Sequence, residues 1–118
     1  MSRSILTVAA GAAVAAVLAA PGLGGTPVLK GEVGPGFTIE VKAGGKDVKT
    51  LKAGTYTIKV EDKANIHNFH LFGPGVNKST SVGGTGDQTW KVKLRKGRYT
   101  YQCDPHAASG MKGTFTVK

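Results

Sequence analysis

From Gly36 onward the chain alternates apolar and polar residues with a period of two, and that pattern leaves it few folds. Phe37, Ile39 and Val41 alternate with Thr38, Glu40 and Lys42. Tyr56, Ile58 and Val60 alternate with Thr57, Lys59 and Glu61, and Trp90, Val92 and Leu94 with Lys91, Lys93 and Arg95. Phe115 and Val117 repeat the pattern against Thr116 and Lys118. Successive side chains of a strand point to opposite faces, so each run reads as a strand with one buried side. Gly44-Gly45, Gly73-Pro74-Gly75, Gly83-Gly84 and Lys96-Gly97 punctuate the runs as turns. No helical period and no internal repeat competes with this reading after residue 20. The expectation is an all-β sandwich or barrel of about eight strands.

The first residues are of another kind. Met1-Ser2-Arg3-Ser4 is a short basic start, Ile5 to Ala20 carries no charge, and Pro21-Gly22 breaks any helix. A basic start, an apolar stretch and small residues at its end make the layout of a secretory signal. Residues 1–20 are read as that signal, cleaved near Ala19 or Ala20. Sixteen apolar residues fall short of the ~20 that span a bilayer, so an uncleaved membrane anchor is the second reading. Residues 21–118 then form one domain with a single modest core. It is expected to be a monomer, exported to the periplasm or beyond.

Export sharpens the chemistry of Cys103, the only cysteine. It cannot form an intramolecular disulfide, and a lone thiol in an oxidising compartment is a liability unless it is used. Its neighbours offer a use. Cys103, His106 and Met111 fall at C-x2-H-x4-M. Thiolate and thioether are soft ligands, imidazole suits copper, and two His, one Cys and a distant Met make a blue-copper set. A zinc site would want four strong ligands, and a thioether is a poor one. The second imidazole is assigned to His67. In Asn65-Ile66-His67-Asn68-Phe69-His70-Leu71, His67 shares a strand face with the apolar Phe69 and Leu71. His70 falls on the opposite face and is read as a surface residue. Leu94-Arg95-Lys96-Gly97-Arg98-Tyr99 resembles the tyrosine corner of Greek-key sandwiches. Tyr99, Tyr101 and Cys103 would then face inward together.

Tyr99-Thr100-Tyr101-Gln102-Cys103-Asp104-Pro105-His106, followed by Gly110-Met111-Lys112-Gly113, resembles the copper loop of plastocyanin- and azurin-type cupredoxins. His67-Asn68-Phe69 is similar to that family's other ligand strand. The likeness runs from about Phe37 to Lys118. It implies one type 1 copper ion held by His67, Cys103, His106 and Met111, in a Greek-key cupredoxin fold. It also implies that Asn68 ties the His67 segment to the loop after Cys103, and that His106 is the edge through which electrons pass.

The function expected is a one-electron carrier between redox proteins, not an enzyme. Copper oxidases and nitrite reductases need further domains and further histidines, and this chain has three His. The alternative is a copper-delivery protein with the same ligands and no redox partner. Without Arg3, 15 Lys and Arg face 7 Asp and Glu. That balance favours partners with an acidic docking face, an anionic membrane or an anionic cell wall. Nucleic acid is excluded as a partner, because the lysines are scattered and no aromatic row accompanies them. An apolar rim of Gly73, Pro74, Gly75, Pro105, Ala107, Ala108 and Gly110 is expected around the copper edge.

Overall fold

The structure, a computed structural model, describes residues 26–118. The signal read at residues 1–20 lies outside the described residues. Ten strands run in the order β1 (Val28–Val33), β2 (Ile39–Ala43), β3 (Lys46–Asp47), β4 (Thr50–Leu51), β5 (Gly54–Asp62), β6 (His70–Gly73), β7 (Val76–Ser79), β8 (Gly86–Leu94), β9 (Gly97–Gln102) and β10 (Lys112–Val117). A six-residue 3-10 helix, Asp104–Ser109, joins β9 to β10. Strands β3 and β4 are two-residue fragments, so eight longer strands carry the fold, as the alternation implied.

The strands form two five-stranded sheets, ordered β3-β2-β1-β5-β8 and β4-β10-β9-β6-β7. Pairing is antiparallel except where β1 runs beside β5 and β4 beside β10. The inner faces meet as period two requires. Leu29, Val33, Val41, Tyr56, Ile58, Val60, Val92 and Leu94 are buried from the first sheet. Leu71, Tyr99, Phe115 and Val117 meet them from the second. Burying each such side chain contributes about 1.5–3 kcal/mol. Phe69 joins the sheets, stacking on Tyr101 with centroids 6.2 Å apart and tilting against Trp90 at 6.1 Å. Gly31 makes room for it, since a Cβ there would come within 2.7 Å of the Phe69 ring.

The tyrosine corner is present. Tyr99 Oη accepts the Arg95 N–H at 2.8 Å and donates to the Pro74 carbonyl at 2.8 Å. Two such bonds in a buried setting contribute roughly 1 kcal/mol each. They fix the start of β9, and β9 in turn delivers Cys103 to the other end of the sandwich. Two expectations change here. Phe37 was read as the first inward residue of a strand, but β2 begins at Ile39 and Phe37 is 60% exposed. The Gly73-Pro74-Gly75 turn, expected at the copper rim, packs against Gly97 and Tyr99 at the opposite end. The reason is strand direction: β6 starts beside Gln102 and runs away from Cys103.

Candidate metal centre

Three segments converge at one end of the sandwich. Cys103 follows the last residue of β9 and is fully buried. Its backbone is held by its N–H bond to the Met111 carbonyl at 3.0 Å. Pro105 opens the short helix that carries His106, and Gly110 closes it in the left-handed region at φ 103°. That turn brings Met111 back, where its N–H bonds the His106 carbonyl at 3.2 Å and its side chain is buried. The loop expected to supply three donors is therefore cross-tied by its own backbone.

His67 arrives from the segment before β6 rather than from the strand itself. The side-chain alternation still runs as expected, with His67, Phe69 and Leu71 buried. Asn68, which alternation alone would turn to the other face with His70, is also buried, bonded to Asp104 of the loop. Its Oδ1 accepts the Asp104 N–H at 2.7 Å, and its Nδ2 donates to Asp104 Oδ2 at 3.0 Å. The tie between the two ligand segments is thus a pair of short bonds. Thr80 completes the clamp, its Oγ1 accepting the Phe69 N–H at 2.8 Å.

The donor atoms of His67, Cys103 and His106 meet in a small triangle. The two Nδ1 atoms are 3.2 Å apart, and Cys103 Sγ lies 3.6 Å from that of His67 and 3.4 Å from that of His106. The centre of such a triangle is about 2.0 Å from each corner, the length of a metal–imidazole bond and a little under a metal–thiolate bond. The donor set is the one that copper prefers: two borderline nitrogens and a soft thiolate, with the thioether of Met111 nearby in the chain. His70 does not join. Its Nδ1 bonds Asp104 at 2.9 Å and its Nε2 bonds Asn77 Oδ1 at 2.7 Å.

Two buried side-chain atoms among the described residues have no hydrogen-bond partner, His67 Nε2 and Asp62 Oδ2. With Nδ1 turned to the triangle, Nε2 is the nitrogen left to carry the proton. Burial pushes the Asp62 carboxyl above its usual range, against the opposing pull of the Ala64 N–H and His67. Gly34, at φ 77°, lets the β1–β2 loop pass close over His67, where a Cβ would come within 3.1 Å of the ring.

Phe37 is the residue that sequence reading missed. It stacks on His106 with centroids 4.9 Å apart and meets His67 edge-on at 5.2 Å. Its place in an apparent alternation disguised it. The preceding Gly34-Pro35-Gly36 is the signal that the strand had not yet begun.

Comparison with known proteins agrees with this geometry. The family model described as copper binding proteins, plastocyanin/azurin family, matches residues 36–118. Among solved structures, rusticyanin from Thiobacillus ferrooxidans matches at 25% identity over 77% of this chain and 76% of its own, with a TM-score of 0.54. Dithionite-reduced auracyanin from the photosynthetic bacterium Roseiflexus castenholzii matches at 21% identity over 80% of this chain and 99% of its own, with a TM-score of 0.55. A multi-copper oxidase from Pediococcus acidilactici matches at 18% identity over 79% of this chain but 26% of its own, with a TM-score of 0.56.

Proposed function

The chain belongs to the plastocyanin/azurin family of copper-binding proteins, and from that premise we propose that it is an exported one-electron carrier. It holds one type 1 copper. The residues that would hold it are His67, Cys103, His106 and Met111. When bound, copper supplies a one-electron couple between its two oxidation states.

The observation that carries the reading is the ready-made triangle of donor atoms. Its corners are fixed by the Asn68–Asp104 bonds, the Cys103–Met111 and Met111–His106 backbone bonds, and the β9 strand. A site that is already metal-sized and cross-tied need not rearrange when its charge changes, which suits a carrier. His106 is half-buried beneath Phe37 while Cys103 and His67 are fully buried. His106 is therefore the donor nearest solvent, and electrons are proposed to pass there. Phe37 stacked on it and its loop neighbours Pro105, Ala107 and Ala108 offer a small apolar rim suited to brief docking. Partners are redox proteins that meet this rim.

The proposal includes export, with residues 1–20 as signal and residues 21–118 as the mature domain. Its support is the basic start and the uncharged stretch of Ile5 to Ala20. An enzymatic role is set aside because the third histidine is engaged by Asp104 and Asn77. The test is cyclic voltammetry of the copper-loaded protein with a Cu(I) chelator present. A carrier gives a reversible couple and keeps its Cu(I). Irreversible voltammetry with rapid loss of Cu(I) would favour copper delivery instead.

A further inference from the structure

The positive charge of this protein is not spread evenly. Strand directions place Val33, Asp62, Gly86, Gln102 and Lys112 at the copper end and Val28, Gly54, Leu94, Gly97 and Val117 at the other. Six of the seven acidic residues, Glu32, Glu40, Glu61, Asp62, Asp87 and Asp104, lie in the copper half. The opposite pole carries Lys46, Lys49, Lys52 and Lys118, and beyond them Lys93, Arg95, Lys96 and Arg98, all exposed, against Asp47 alone. The lysine–glutamate ion pairs among the described residues engage Lys30, Lys42 and Lys63 and none of these eight.

The same pole holds a groove of about 840 Å³. Leu29, Val48, Leu51, Tyr56 and the 49%-exposed Val28 line it, together with Lys46, Lys49, Lys52 and Lys118, and Asp47 is the one acidic residue among the lining. Pro27 also lines it. An apolar groove flanked by ammonium groups fits an acyl chain beneath an anionic headgroup, and the excess of lysine at this pole complements an anionic bilayer.

We propose that this pole is a docking surface for an anionic phospholipid bilayer. Lys46, Lys49 and Lys52 meet the headgroups, and the groove takes apolar lipid surface. The nine-residue strand β5 separates the poles by about 26 Å. Docking this way leaves the copper end facing the aqueous phase, open to partners. The inference does not depend on the electron-carrier reading, since a delivery protein could dock in the same way.

The experiment is co-sedimentation of the copper-loaded mature domain, residues 21–118, with vesicles of phosphatidylglycerol in phosphatidylcholine, and with phosphatidylcholine alone. Two triple variants of equal net charge are compared, Lys46→Glu/Lys49→Glu/Lys52→Glu and Lys59→Glu/Lys78→Glu/Lys112→Glu. Both should keep the copper absorption band, which verifies the fold. The first should lose about a hundredfold or more in affinity for the anionic vesicles, and the second should stay close to wild type. Val28→Trp should add an emission component that shifts blue on anionic vesicles, because that side chain borders the groove. Equal losses in the two triples would reduce the effect to net charge and overturn the proposal. Equal binding to neutral vesicles, or a Val28→Trp emission that does not move, would also overturn it.

Discussion

The Phe37 ring lies nearly parallel to the imidazole of His106, with centroids 4.9 Å apart and planes 21° from one another. The half-buried imidazole is thereby covered on one face by an apolar ring that is itself exposed. Water is kept from that face of His106 without burying the residue through which electrons are proposed to pass. A less hydrated site favours the lower charge, hence Cu(I).

Phe37→Ala should therefore keep the visible band and lower the reduction potential by tens of millivolts, against about 59 mV for a tenfold change in a one-electron equilibrium. The stability cost should be small, about 1 kcal/mol or less, because the ring is mostly exposed. Voltammetry and urea denaturation of the variant check both. An unchanged potential would mean that the stack does not shield the site.

His67 and His70 are three residues apart and differ in what they face. His67 Nδ1 points into the donor triangle, and His70 is tied to Asp104 and Asn77. Copper binding to the folded protein should raise the melting temperature, with a gain of about 4 kcal/mol at a thousandfold excess over Kd. His67→Ala should lose most of that gain and His70→Ala little. Equal losses would remove His67 from the proposed ligand set. Within the triangle, Cys103→Ser should abolish the intense thiolate-to-copper band, since a hydroxyl is no substitute for a soft thiolate.

Much of this site was legible in the sequence because the physical signals were local. Cys103, His106 and Met111 are held together by one short loop, and spacing alone brought them into one place. The faces of Tyr99, Phe115 and Val117 followed from strict alternation. Long-range facts were less legible. That Asn68 would be buried depended on the copper loop lying over it, so period two alone misplaced it. The position of Gly73-Pro74-Gly75 depended on the direction of β6, which composition does not encode. Phe37 failed for a third reason: Gly34 and Pro35 turn the chain over His67, so an apolar residue in apparent phase belongs to the site and not to the core.

The His70–Asp104 pair makes stability depend on pH. Burial disfavours the charged His70 ring, but its bonds to Asp104 and Asn77 outweigh this and hold its pKa above the usual value. Its stabilisation is thus complete below the ordinary histidine range, ~6.5, and is lost as pH rises through the raised value. Burial likewise raises the Asp104 carboxyl, but bonds from Gln102, His70 and Asn68 hold it below its usual range. That contribution is present above about pH 4 and lost as pH falls through the lowered value. In the copper-free protein His70→Gln should therefore cost most near pH 5 and least near pH 8, by a difference of roughly 0.5–1 kcal/mol for so exposed a pair. Urea denaturation at the two pH values measures it. The same cost at both would mean that the pair carries no charge.

Met111 gives the sharpest test of the carrier reading. Its backbone closes the loop, donating to the His106 carbonyl and accepting from Cys103. Those bonds do not involve the side chain, so Met111→Gln leaves the loop closed and changes only its buried side chain. An axial ligand is long and weak and contributes little to holding copper, but it shifts the balance between oxidation states. A thioether favours Cu(I), and a harder amide oxygen favours Cu(II). Met111→Gln should accordingly retain copper and visible colour while the reduction potential falls by about 59 mV or more, tenfold or more in the one-electron equilibrium. His106→Gly should behave differently, opening an equatorial position and slowing electron exchange with a partner. Voltammetry of the wild type and both variants separates the two roles. A Met111→Gln protein with an unchanged potential would make Met111 a loop-closing residue and leave the axial position to another group.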